Sequence, residues 1–186
     1  IQMGTGAIEI KSGYGLTLES ELKMLRVIKR LKENTEATIK STFLAAHALP
    51  KKYKNNKEGY MDLVINKMLP KVAEEKLADY IYIFCEKGYF TVENTIRLLE
   101  AGKKYGIQAK THVNQFNSIG GVEASVNLGA LSVDHLEEME EEDYTALINS
   151  ECMPTILPSC SFFLGIPYGP AKEMIKKGLP VELATD

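Results

Sequence analysis

Apolar residues along this chain switch repeatedly between two periods. Ala7-Ile8-Glu9-Ile10 reads as a strand that ends in a Gly-rich turn, Ser12-Gly13-Tyr14-Gly15. Leu18, Leu22, Leu25, Ile28 and Leu31 then recur at helical spacing on one face. Thr17 stands where an N-cap is wanted. Glu19 and Glu21 fall in the first turn, and Lys29, Arg30 and Lys32 in the last, so both ends of that helix suit its dipole. Thr38 to Leu44 predicts the next strand, running into Ala45-Ala46-His47. The polar, lysine-rich stretch 50–59 predicts a surface insertion. A helix over about 60–76 follows, with Pro70 bending or ending part of it.

The alternation continues to the end. Tyr80-Ile81-Tyr82-Ile83-Phe84 reads as a buried strand, and Thr91 caps a helix with Val92, Ile96 and Leu99 on its apolar face, closed at Gly106. From Ile107 to Val113 the residues Ile107, Ala109, Thr111 and Val113 face one way and Gln108, Lys110 and His112 the other. A short helix fits 120–128, a strand 130–135, and an acidic run opens the next helix. Strands over 152–157 and 181–185 flank a helix that starts at Pro170 and closes at Gly178. Seven strands separated by six helices predict a parallel α/β sheet. No linker divides the chain, so residues 1–186 read as a single domain. A (β/α)8 barrel lacking one unit fits this count, and a doubly wound open sheet is the alternative. No G-x-G-x-x-G follows any strand, which counts against dinucleotide binding.

Composition narrows the class further. The 186 residues are 45% hydrophobic, enough for one sizeable core. The net charge is -3 and no basic face is evident, so nucleic acid is not an expected partner. No apolar run approaches the length of a membrane span. Cys85, Cys152 and Cys160 form no C-x-x-C pair, and an odd count of this kind reads as reduced thiols in a cytosol. The run Glu137-Glu138-Met139-Glu140-Glu141-Glu142-Asp143 reads as a solvated first helical turn. The first residues lack the features of a signal peptide. Both ends of the chain fall on strand-like runs, which reads as an internal fragment of a longer domain.

The chemistry-bearing residues fall at strand ends. His47, His112 and His135 end the second, fourth and fifth predicted strands, Asp186 ends the seventh, Tyr14 lies in the turn after the first, and Gln115 lies just beyond His112. In a barrel, catalytic groups gather at the C-terminal ends of the strands. Taken singly, each histidine reads as a satisfied structural residue, Tyr14 as a packed aromatic, Asp186 as a helix cap and Gln115 as a loop cap. Taken together, three histidines at the same end of three strands point to a shared polar site. Imidazole and carboxylate donors suit Zn or Fe(II), but His112 and Asp186 give two ligands where water-activating sites take three or more.

The segments EIKSGYGL (9–16), STFLAAHALP (41–50), THVNQFNSIGGV (111–122), SVDHLE (132–137) and ATD (184–186) resemble the imidazolonepropionase family of the amidohydrolase superfamily, which acts in histidine degradation. The resemblance implies a metal-dependent (β/α)8 TIM-type barrel beside a β-sandwich, with this chain covering about strands 2 to 8 and lacking the sandwich. It implies hydrolysis of 4-imidazolone-5-propanoate, a cyclic amide, to N-formimidoyl-L-glutamate in the cytoplasm. His112 and Asp186 resemble the metal ligands, for one divalent Zn or Fe, and Tyr14, His47 and Gln115 resemble substrate-binding residues. His135 resembles the histidine facing the reacting centre, which makes His135 and Asp186 the catalytic pair.

Two departures stand out. Some members carry a carboxylate where this chain has Gln115, and an amide cannot serve as a general base. The H-x-H metal pair expected on strand 1 is absent from these residues, as is the arginine expected to meet the substrate carboxylate. Another cyclic-amide hydrolase or deaminase of the superfamily remains an alternative, as does a non-catalytic barrel fragment. The expected partner is the small-molecule substrate, and exposed sheet edges would allow a homo-oligomer.

Overall fold

A computed structural model describes residues 2 and 4–185 of the chain. The strands are β1 (Ala7–Lys11), β2 (Thr38–Ala46), β3 (Tyr80–Cys85), β4 (Gln108–Val113), β5 (Ser132–His135), β6 (Met153–Ile156) and β7 (Glu182–Leu183), in that order across the sheet. The helices are α1 (Leu18–Glu33), α2 (Lys57–Leu63), α3 (Leu69–Glu74), α4 (Val92–Lys104), α5 (Gly121–Asn127), α6 (Glu141–Ile148), α7 (Pro158–Leu164) and α8 (Ala171–Lys176). Each predicted strand is present, and its pairings are parallel, as strand–helix alternation requires. The chain divides into two compact units, Ile1–Ile83 with Glu100–Gln108, and Phe84–Leu99 with Ala109–Asp186.

In the first unit, β1 and β2 pair from Ala7↔Thr38 to Lys11↔Thr42, and β2 meets β3 through an irregularity between Phe43 and Ala46. Thr17 caps α1 by accepting the Ser20 N–H at 3.2 Å. Leu22, Leu25 and Ile28 bury the predicted stripe, whereas Leu31, at its end, is exposed. Phe43, Met61, Leu69, Ile81 and Ile83 fill the core with Tyr60, whose hydroxyl donates to the Ala45 carbonyl at 2.8 Å. Burial pushes the Tyr60 hydroxyl well above its ordinary pKa, so it stays a donor.

Two expectations change here. The stretch 50–59 is more ordered than an insertion, with a 3-10 turn over Lys51–Tyr53 and α2 starting at Lys57, where Asn56 accepts the Gly59 N–H at 2.9 Å. Pro70 does not end the helix. A π-helical turn over Val64–Met68 joins α2 to α3, with the Leu69 N–H reaching the Val64 carbonyl. Proline has no N–H and crowds the carbonyl four residues back, and a widened turn removes both problems.

In the second unit, His112 lies opposite Asp134 and Val113 opposite His135 across β4 and β5, and Val133 lies opposite Pro154 across β5 and β6. Val113, Val122, Val133, Leu136 and Leu147 form its core. Helix α7 escaped sequence reading because its apolar residues lack a helical stripe: Phe162 and Phe163 are both exposed. The acidic run is not a solvated turn throughout. Asp143 is buried and forms a capping box with Glu140, and Glu137 is buried beside β5. A carboxylate at an N-cap faces amide donors and needs no water.

Asp79 ties α1 to the start of β3. It accepts Lys32 and both the N–H (2.7 Å) and hydroxyl (3.1 Å) of Ser41. Partial burial pushes its carboxyl up, but these donors outweigh that effect and hold its pKa below the ordinary aspartate value. A depressed carboxyl stabilises the fold above its unfolded-state pKa and stops doing so as pH falls through the folded value. Asp79→Asn is therefore expected to lower stability to urea at neutral pH. Its deficit against the parent should shrink as pH drops below the ordinary aspartate range; a deficit constant with pH would refute this role.

Candidate functional site

The loop after β1 is held by one buried side chain. Glu21, in the first turn of α1, is fully buried. It accepts the N–H groups of Gly13 (3.0 Å), Gly15 (2.7 Å) and Leu16 (3.1 Å). The backbone leaves no room for side chains on either glycine. Gly13 has φ 127° and a Cβ there would stand 2.8 Å from the Leu44 carbonyl, while one on Gly15 would stand 2.6 Å from the Glu21 nitrogen. Between them Tyr14 is thrust outward, 72% exposed, and its ring meets His47 edge-on with centroids 5.2 Å apart. His47 itself directly follows β2 and is half-buried.

The second unit carries a column of three rings. His112 stacks on Phe84 and on His135, with centroids 3.7 Å apart in both pairs. The β4–β5 register sets His112 opposite Asp134 and Val113 opposite His135, and the two imidazoles meet where the backbone leaves extended geometry at His135. Both are buried. Gln115 turns back on the column, its Oε1 2.9 Å from His112 Nε2 and its Nε2 3.6 Å from the Cys160 sulfur. His135 Nδ1 faces Glu137 Oε2 at 3.5 Å, longer than a well-made hydrogen bond. Neither atom has a hydrogen-bond partner among the described residues. The Ser161 hydroxyl fixes the other Glu137 oxygen at 2.8 Å. The backbone is strained at this point: His135 has φ 89° and Leu136 φ 63°. Strain of this kind persists only where surrounding contacts over-determine it, and it clusters at functional sites.

Of the residues the sequence singled out, the structure therefore brings Tyr14 together with His47, and His112 with His135 and Gln115. Asp186 lies outside the described residues. Among the described residues no cluster of three metal-binding side chains occurs. The His112 Nε2 is engaged by Gln115, so these residues do not make a metal site by themselves. Sequence reasoning missed Phe84, read only as strand core, Glu21, read as a first-turn charge suited to the helix dipole, and Glu137, read as part of a solvated helical turn. A glutamate gives no sign in sequence that it is buried among amide donors.

No model of a protein family matches the chain. Solved structures establish its fold class. A guanine deaminase from C. acetobutylicum with bound guanine aligns with 98% of this chain and 46% of its own, at 14% identity and a TM-score of 0.71. An adenine deaminase from Arthrobacter aurescens covers 97% and 57%, at 14% identity and a TM-score of 0.69. The class is thus the α/β barrel fold of these deaminases, present here in part, as the strand order anticipated. In sequence the chain is similar over its whole length to imidazolonepropionases. It is 62% identical to those of Flavobacterium johnsoniae and Christiangramia forsetii over 186 residues, and 43% identical to that of Thermoanaerobacter pseudethanolicus over 183. The chain spans about 45% of the length of these relatives. Among the described residues no helix is long and apolar enough to cross a membrane.

The Glu21 clasp makes Gly15 intolerant of any side chain. Gly15→Ala is expected to cost about 1–3 kcal/mol of unfolding free energy, because the added methyl meets the α1 backbone as well as the Glu21 carboxylate that clasps the loop. Gly6→Ala, with open space around its Cβ, serves as the control. Equal denaturant midpoints for the two variants would contradict the clasp.

Proposed function

We propose that this chain is a single-domain barrel segment of an imidazolonepropionase. The proposed reaction is hydrolysis of 4-imidazolone-5-propanoate to N-formimidoyl-L-glutamate in the cytoplasm. The 62% identity over all 186 residues supports the substrate. The single structural observation that carries a catalytic reading is the buried His112–His135 stack with its strained backbone. Water adds to the ring carbonyl carbon, the amide C–N bond breaks, and the displaced nitrogen takes up a proton; no electrons are exchanged with another reactant.

His135 is assigned to the ring carbonyl oxygen, donating a hydrogen bond as negative charge builds there. Asp186 is assigned the proton transfer from water to the leaving nitrogen, a duty that the Gln115 amide cannot perform. Tyr14 and His47 are assigned to orient the substrate by hydrogen bonds, and Gln115 to contact it. One divalent metal, Zn or Fe, is assigned to His112 and Asp186 together with ligands from parts of the relatives that these residues do not span; when bound it supplies Lewis acidity. The fold class supports a metal in general, since an atrazine chlorohydrolase mutant of similar fold, with a TM-score of 0.66, was solved complexed with zinc and atraton. Among the described residues β1 is an edge strand, which suits pairing with a second copy.

The test uses a protein extended to the full length of the relatives. His135→Ala is expected to keep the metal and lose about 100-fold or more in kcat, the scale of one lost oxyanion donor. His112→Ala is expected to lose both metal and hydrolysis while retaining its circular dichroism spectrum. Stoichiometric metal and near-parental hydrolysis in His112→Ala would return this residue to the role of a strand-end histidine.

A further inference from the structure

Glu86 directly follows β3 and is 1% exposed, yet no step above uses it. Its Oε2 accepts the backbone N–H groups of Phe116 (2.9 Å) and Asn117 (3.2 Å). Its Oε1 accepts the Asn117 side-chain amide (3.1 Å) and the Lys87 N–H (2.7 Å). All four donors are neutral amides, and three of them belong to one loop, so the carboxylate serves that loop and not a charge partner. That loop is the one that carries Gln115. On its other side Asn114 takes a left-handed conformation, φ 55°, and donates its side-chain amide to Asp143 at 2.8 Å. The same Asp143 oxygen accepts the Ser118 hydroxyl (3.0 Å) and the Glu140 N–H (3.0 Å). Gln115 is therefore pinned from both sides by buried carboxylates, and its Oε1 meets His112 Nε2.

A carboxylate on this loop could merely satisfy buried amides. Two features argue for more. The donors lie immediately after Gln115, where a small backbone shift is transmitted whole to its side chain. An asparagine in the left-handed region also holds only where its surroundings fix it. We propose that Glu86 is a positioning residue that acts through Gln115: by fixing the Phe116 and Asn117 amides it sets the Gln115 carbonyl against the His112 ring.

The inference rests on reading His112 and Gln115 as site residues, so its test has one arm that needs no activity. In the 186-residue chain, Glu86→Gln is expected to shift the Phe116 and Asn117 amide resonances. With them should move the Gln115 side-chain amide and the His112 ring signals, the latter in the direction produced by Gln115→Ala. Asn117→Ala, which removes one side-chain donor and leaves the fold's core untouched, should move the same signals less, and it carries the test if Glu86→Gln does not fold. Phe116 and Asn117 signals that move while the His112 ring signals stay in place would overturn the proposal. In the full-length hydrolase, Glu86→Gln is expected to lower kcat by up to about 100-fold, the scale of a small misplacement. KM should stay within about twofold. Combined with Gln115→Ala it should cost no more than Gln115→Ala alone; losses that multiply would overturn an action through Gln115. A full-length parent with no hydrolysis would instead overturn the proposed function and leave the resonance shifts to decide on Glu86.

Discussion

Both clusters depend on carboxylates buried against backbone amides. Where a strand gives way to a loop, the N–H groups of the loop lose their ladder partners and must find acceptors. Glu21 supplies them for the loop after β1 and Glu86 for the loop after β4, where Asp143 adds an acceptor for the Asn114 side-chain amide and the Ser118 hydroxyl. A hydrogen bond to a charged group contributes roughly 1.5–3 kcal/mol, and leaving the donor unmet costs about as much. Removing one such carboxylate would undo several bonds at once. That is why rigid loops can carry Tyr14 outward and hold Gln115 inward without regular secondary structure.

The ring column forms where β5 leaves regular strand geometry. Parallel pairing of β4 with β5 sets His112 opposite Asp134 and Val113 opposite His135, so the two imidazoles stack only because the backbone leaves extended geometry at His135, φ 89°. Phe84 covers the column from β3. Burial makes the polar edges of the rings consequential: His112 is met by Gln115, whereas His135 Nδ1 faces the Glu137 carboxylate across 3.5 Å. Gln115 thus has a structural partner within the chain as well as its assigned contact with substrate.

The strand-and-helix succession was legible because each element carries its own local signal. Thr17 caps α1, Gly106 and Gly178 close α4 and α8 with positive φ, and alternation marks β4. Helix α7 and the π-helical turn before Pro70 had no such signal. In α7 the phenylalanines point outward, and the π turn answers a steric demand that only appears once a helix continues through proline.

By itself the sequence determined the α/β succession, the strand-end placement of Tyr14, His47, His112 and His135, and the likeness to imidazolonepropionases through motifs such as EIKSGYGL and THVNQF. These rest on contacts near in sequence or on residue types in order, and both can be read along a line. The tertiary structure decided which charges are buried. Glu21 and Glu19 look alike in the first turn of a helix, and Glu137 and Glu138 look alike in an acidic run, yet one of each pair is buried and the other exposed. Only folding brings amide donors from distant segments around a carboxylate, so its role is fixed by neighbours that the sequence places far away.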